Sequence, residues 1–183
     1  LNKAEGVDPD VARLAYPGGA MDMIAAWIAS VDVAMFAALP AERLAVMKVR
    51  ERIRSLVQAR LDAIEGREEA LRRALAIMAM PQNVARAGRL GWASADAMWR
   101  LAGDVATDYN HYTKRAILAS IYTATLAVFV SDESEDKADT RAFLDRRIDG
   151  VMRFEKAKAQ FRRPDAERFS VTRFLGRLRY PAA

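Results

Sequence analysis

Pro17-Gly18-Gly19-Ala20-Met21-Asp22-Met23-Ile24-Ala25-Ala26-Trp27-Ile28-Ala29-Ser30-Val31-Asp32-Val33-Ala34-Met35 is the stretch that decides the fold class. Its Pro-Gly-Gly opening breaks any preceding helix. Beyond it apolar residues recur at three and four, placing Ile24, Trp27, Ile28, Val31 and Met35 on one stripe of a helix that runs to Leu39. The same period extends in both directions, and strand-like alternation is absent. Upstream, Asp8 caps a short helix with Pro9 in its first position, running to about Ala15. Downstream, Pro40 opens a helix carrying Val49, Ile53, Leu56, Leu61 and Ile64, which stops at Gly66. A helix from Glu68 to Ala79 is ended by Pro81. A weak helix around Asn83–Leu90, interrupted by Gly88 and Gly91, precedes one over Trp92–Ala106 with Trp92, Ala95, Met98, Trp99 and Ala102 on one face. Long helices follow over about Tyr109–Val130 and Asp139–Phe161, with Ser131–Asp136 as a solvated acidic loop between them. The expected class is all-α, with no internal repeat.

The chain has 183 residues, 52% of them hydrophobic and 29% charged, which describes a globular domain with a real core. It contains no cysteine, so disulfides and thiolate chemistry are excluded. No apolar run reads as long enough to span a bilayer, and no signal or transit peptide is visible. The sequence starts at Leu1 and not at Met, which leaves room for a removed N-terminal piece. Abundant Ala and Arg suggest a GC-rich bacterial source.

Catalytic patterns are missing. One histidine and no cysteine cannot build a multi-His or Cys metal site within one chain. Glu-x-x-His, Gly-rich phosphate loops and nucleophile elbows do not occur. His111 has no convincing nucleophile beside it. The expectation is a non-catalytic protein without a cofactor.

The window Gly103-Asp104-Val105-Ala106-Thr107-Asp108-Tyr109-Asn110-His111-Tyr112-Thr113-Lys114-Arg115-Ala116 joins three aromatic rings, two cations and two carboxylates. Aromatics beside Lys and Arg are typical of protein-recognition surfaces. Asp108, Tyr109, Asn110, His111, Tyr112, Lys114 and Arg115 are therefore the candidate partner-binding patch. The other reading packs Tyr109 and Tyr112 in a dimer interface, with Asp108 as a helix cap.

The net charge of +5 is concentrated at one end. Between Lys156 and Tyr180 eight Lys or Arg stand against Asp165 and Glu167, so this segment carries +6 and the rest of the chain −1. Within it, Val171, Phe174, Leu175 and Leu178 share one narrow helical stripe, with Arg173 and Arg177 roughly opposite. Ser170 caps this last helix, and Phe169 with Phe174 matches a hydrophobic staple. After the hinge Arg162-Arg163-Pro164, the composition suits a helix lying on an anionic membrane. Its stripe would equally serve to fold back on the domain or on a dimer mate. Phe169, Val171, Arg173, Phe174, Leu175, Arg177 and Leu178 are the membrane-binding candidates.

The 103–116 window, with Met80-Pro81-Gln82-Asn83, Phe143-Leu144-Asp145-Arg146-Arg147-Ile148-Asp149 and Val151-Met152, closely resembles the signature of one family. It is the lipid-binding accessory protein of ubiquinone (coenzyme Q) biosynthesis, the ninth of the numbered coenzyme Q proteins. The resemblance extends from Tyr16 to Ala159. It implies a TetR-like helical dimer bundled through the helices near 109–130 and 139–161, with a lipid cavity in the long-helix domain. Met78, Met80, Trp92, Met98, Trp99, Ile117, Ile121 and Phe129 are the lipid-binding candidates, since large flexible side chains line adaptable cavities; by sequence alone the same residues also suit a packed core. The resemblance further implies a bound isoprenoid quinone or phospholipid, and a di-iron partner, the demethoxyubiquinone hydroxylase, seated on the aromatic patch. Eukaryotic members generally carry Trp where this chain has His111. The implied location is cytoplasmic, peripheral on a bacterial inner membrane, or the matrix side in a mitochondrion.

Gly6-Val7-Asp8 and Tyr16-Pro17 are similar to the end of a TetR-type helix-turn-helix. Arg13 and Gly19 replace the Tyr and Lys that usually contact phosphate, and Asp8 and Asp10 would repel DNA. Nucleic acid is therefore not an expected partner, and a ligand-responsive transcriptional regulator is the alternative. The expected organisation is a helix-turn-helix remnant over 1–19, a lipid-binding and dimerisation domain over 20–161, and a hinge with an amphipathic tail over 162–183.

Overall fold

A computed structural model of the chain describes residues 11, 14–104 and 109–162, with side chains up to residue 154 apart from 109 and 110. The described residues are helical and contain no strand. Most of the helix expected after Asp8, and all of the amphipathic tail, lie outside them.

Helix α1 spans Ala20–Ala38. Its first turn is closed by Asp22, whose carboxylate accepts the Gly18 N–H at 2.6 Å. Asp22 also pairs with Arg86 across the bundle. Met21, Ile24, Val31 and Met35 form its buried stripe. The sequence reading finds no apolar run of spanning length, yet α1 is long and apolar enough by length and composition to cross a membrane. Its carboxylates pair within the fold, the part-exposed Asp22 with Arg86 and Asp32 with Arg60, and its buried stripe packs on the helices that follow.

One helix was expected from Pro40 to Gly66; two form. Helix α2 covers Ala41–Ala45 and α3 covers Val49–Asp62. Arg52 makes the break possible. Its guanidinium donates to the carbonyls of Ala45 (3.0 Å), Met47 (2.9 Å) and Ala102 (2.8 Å), satisfying helix-end oxygens that would otherwise lack partners. Lys48 N–H donates to Glu51 at 3.1 Å and starts α3. Ile53, Leu56, Val57 and Leu61 are buried, whereas Val49 at the helix start is exposed.

Helix α4 covers Glu68–Met78. Helix α5 is continuous over Val84–Leu101, where the glycines suggested an interruption. Each glycine costs about 1 kcal/mol relative to Ala. Packing overrides that cost, because α5 makes its most extensive contact with α6, Tyr109–Phe129. Gly103 ends the α5 segment with φ +86°, a backbone only glycine adopts easily, and Arg52 would lie 3.3 Å from a β-carbon placed there.

Ser131–Asp136 is not a solvated loop throughout. Asp132 is buried. Its carboxylate accepts from Ser134 N–H (2.9 Å), Ser134 Oγ (2.5 Å), Thr140 N–H (2.8 Å) and Thr140 Oγ1 (2.5 Å). Lys137, in a left-handed backbone with φ +55°, donates to the Asp132 carbonyl at 2.7 Å and lies 5.0 Å above the Phe129 ring. The knot fixes the entry to α7, Ala138–Arg162, whose Leu144 and Ile148 are buried.

The chain divides into two compact units, Leu1–Ile148 and Asp149–Ala183. All packing described above belongs to the first. In the second, the α7 residues Met152 and Phe154 are exposed.

The Ser134 and Thr140 bonds outweigh burial and hold the Asp132 carboxyl far below its ordinary value. A depressed folded pKa stabilises above the unfolded value and is lost as pH falls. Asp132→Ala should cost about 1–3 kcal/mol in urea denaturation at pH 7. The gap between wild type and variant should close as pH drops from about 4 toward 2. A gap that persists unchanged at pH 2 would contradict this account.

Candidate functional site

The site begins with side chains that are not there. On α5, Gly88 and Gly91 stand one turn apart on one face, and a β-carbon built at either meets nothing within 4 Å. Across from them α6 offers Ala119, Ser120, Thr123 and Ala127. Small residues on both sides keep the two helices from filling the space between them. Trp27 and Ile28 of α1 and Leu71 and Met78 of α4 supply the remaining apolar walls. The result is a cavity of about 790 Å³ inside the first unit. That falls within the roughly 300–1,000 Å³ range of small-molecule sites.

Its size excludes a simple packing defect. Buried voids cost about 24 cal/mol per Å³. A sealed void of this volume would cost roughly 20 kcal/mol at that rate, more than the whole stability of an ordinary domain, about 5–15 kcal/mol. The cavity is accordingly open to solvent, and its walls favour an apolar occupant.

One wall carries a charge. Arg60 of α3 is only 1% exposed. Its guanidinium pairs with Asp32 of α1, donates to Ser94 Oγ of α5 at 3.0 Å, and lies 4.9 Å above the Tyr122 ring of α6. Burial works against the charge, but Tyr122 and Asp32 outweigh it and hold the Arg60 pKa above its ordinary value. Burial likewise pushes the Tyr122 phenol up, so it stays protonated. The sequence reading missed this cluster, because Arg60, Asp32, Ser94 and Tyr122 come from four helices and no local spacing joins them.

Of the lipid-binding candidates, Met78 and Trp92 stand in the cavity wall. Met98, Ile121 and Phe129 are buried in the closed core, and Met80 is exposed where α4 ends. Trp99 turns its indole N–H to the Lys114 carbonyl at 3.0 Å. Ile117 is half-buried on α6. These six are not among the residues lining the cavity.

The aromatic window is brought together in part. Tyr112 is 62% exposed, with the His111 ring 5.1 Å away edge-on. The Tyr112 ring also lies 6.1 Å from Trp92, so the exposed patch and the cavity share a wall residue. Lys114 is half-buried; it pairs with Asp104 at 2.6 Å and sits over Trp99 at 5.4 Å. Arg115 does not belong to the surface. It is 2% exposed and bonded to Asp96 (2.5 Å), Asp104 (3.0 Å) and the His111 carbonyl (3.2 Å). Three acceptors draw it inward, where it pins the start of α6 to α5. Burial raises the Asp104 pKa, but Lys114 and Arg115 prevail and hold it below its usual range. Asp108 and the side chains of Tyr109 and Asn110 lie outside the described residues, as do Phe169, Val171, Arg173, Phe174, Leu175, Arg177 and Leu178.

The COQ9 family profile matches residues 84–155. That segment holds α5, α6 and the first part of α7. The chain is 42% identical over 105 residues to the ubiquinone biosynthesis protein COQ9, mitochondrial, of Rattus norvegicus, a match covering 57% of this chain and 34% of that protein. It is 39% identical over 105 residues to the protein of the same name from Homo sapiens, covering 57% and 33%. For Drosophila melanogaster the identity is 29% over 116 residues, covering 62% and 36%. The matches thus take in about a third of the relatives' own length. The family segment includes the Gly88–Gly91 wall, the α6 wall and the aromatic window; Arg60 and Asp32 lie outside it.

Removing one partner from a buried ion pair leaves charge uncompensated and costs about 3–5 kcal/mol. Arg115→Met should lose stability on that scale in urea denaturation, while Tyr112→Ala should change it by less than about 1 kcal/mol. Equal, small effects of both would place Arg115 on the surface after all.

Proposed function

We propose that this chain, whose residues 84–155 match the COQ9 family profile, serves ubiquinone biosynthesis as a non-catalytic, lipid-binding accessory protein. The observation that carries the reading is the cavity of about 790 Å³ with its apolar lining. A polyprenylated quinone precursor is held in the bilayer by about 0.8 kcal/mol per buried methylene. Bringing its ring to an enzyme requires a second apolar environment. The gap between α5 and α6 offers one, and residues 20–161 would form the lipid-binding and dimerising body around it.

The other parts follow from that task. The basic amphipathic tail over 162–183 would hold the protein on an anionic membrane surface, the bacterial inner membrane in the reading from composition. Tyr112, His111 and Lys114 would seat the demethoxyubiquinone hydroxylase. Contact between Tyr112 and Trp92 supports this arrangement, since a partner seated on Tyr112 would lie beside the cavity wall. Arg115 has no part in such a contact, because it is used up inside.

Gly88→Leu/Gly91→Leu tests the reading without threatening the fold. Both sites have open space for a side chain, and leaving glycine favours the helix by about 1 kcal/mol per site. The double variant should keep or raise the melting temperature and lose at least ten-fold in extraction of decylubiquinone from vesicles. Deletion of residues 169–183 should abolish flotation with vesicles containing phosphatidylglycerol while leaving quinone binding in detergent intact. Undiminished extraction by the filled-cavity variant would overturn the proposal.

A further inference from the structure

A second pocket, about 470 Å³ in volume, shares no lining residue with the apolar cavity. We infer that this pocket, lined by Arg43 of α2, Arg54 of α3 and Arg141 of α7, binds a phosphomonoester anion. The inference does not depend on the lipid reading of the cavity.

Three helices distant in sequence each bring one arginine to the same pocket. Like charges repel, so the gathering is unfavourable until opposite charge answers it. The protein answers in part. Asp145 Oδ1 lies 2.6 Å from Arg54 Nε, close as an ion pair though not aligned as a hydrogen bond. Asp62, the other acid of the lining, accepts from Gln58 Nε2 at 2.7 Å. Among the described residues, Arg43 and Arg141 make no hydrogen bond or ion pair. Arg43 is therefore not spent on the carbonyls that end α1, although Ala38 and Leu39 line the same pocket. Arg43 and Arg141 are exposed, and the Arg54 side chain is 39% exposed, so a solute can reach all three.

Charge and shape give the class. Three guanidiniums against two carboxylates leave the pocket positive before any ligand enters. A carboxylate offers two oxygens in one plane. A phosphomonoester offers three and carries about −1.5 to −2 charge near neutral pH. Three oxygens suit donors arriving from three helices, and the guanidinium fork matches phosphate through paired bonds. The volume falls within the roughly 300–1,000 Å³ range of small-molecule sites, which leaves room for an organic group beyond the phosphate. Leu39 and Leu144, both buried, supply apolar surface on which that group would rest. The same chemistry occurs on a free phosphate ester and on a phosphatidic acid headgroup.

Isothermal titration calorimetry of the full chain tests this with glycerol 3-phosphate, inorganic phosphate and monomeric dihexanoylphosphatidic acid. Wild type should bind glycerol 3-phosphate at least ten-fold more tightly than inorganic phosphate. Arg43→Gln/Arg141→Gln should lower that affinity at least ten-fold with an unchanged melting temperature, since neither side chain has a partner to lose. Arg89→Gln/Arg153→Gln removes the same charge from other exposed positions and should lower it less than two-fold. Tighter binding of dihexanoylphosphatidic acid than of glycerol 3-phosphate, removed by Arg43→Gln/Arg141→Gln, would assign the site to a lipid headgroup; equal or weaker binding would assign it to a free ester. Absence of binding by both esters, equal losses in the two double variants, or inorganic phosphate bound as tightly as both esters would overturn the proposal and leave the lipid reading of the cavity untouched.

Discussion

The structure depends on a missing volume. Helices normally interdigitate at close to crystal density, and α5 and α6 pack closely along much of their length. Where Gly88 and Gly91 face Ala119, Ser120, Thr123 and Ala127, neither helix has side chains to fill the gap. The cavity, its apolar walls and the contact between Trp92 and Tyr112 all follow from that local shortage. An open cleft of this size with mostly apolar walls is what a small-molecule site requires, which is why we assign it a purpose.

Keeping the gap open requires rigid surroundings, and buried charge supplies them. Arg115 joins the start of α6 to Asp96 and Asp104, Arg60 joins four helices, and Asp132 fixes the entry to α7. Arg52 binds three helix-end carbonyls and holds the short α2 against the end of α5. Arg115, Arg60 and Arg52 reach partners on other helices, whereas Asp132 ties a local turn. Arg60 differs from the others in standing on the cavity wall with an unsatisfied donor.

Sequence periodicity revealed the all-helical class and most of the helices, because an apolar stripe at three and four is local information. It did not reveal the break after Ala45, where Arg52 binds the nearby carbonyls of Ala45 and Met47 together with that of Ala102, fifty residues on. Gly88 and Gly91 read locally as helix weaknesses, whereas tertiary contact carries α5 through them and uses their smallness. Of the residues assigned to a lipid site by size and flexibility, Met78 and Trp92 line the cavity, and others such as Met98 and Phe129 fill the core. Size alone does not say which side of a helix a residue faces. Arg115 illustrates the same limit: its neighbours suggested a surface cation, but Asp96, on another helix, draws it inside.

The central claim is that the space between α5 and α6 holds a lipid. Native mass spectrometry of the protein as purified from its host, followed by extraction and fragmentation of whatever it carries, addresses this most directly. The account predicts a bound neutral lipid with an oxygenated ring and an isoprenoid tail, absent from a variant whose cavity is filled. A protein that is isolated, gently and at high yield, with nothing bound and no capacity to take up such a lipid would contradict it.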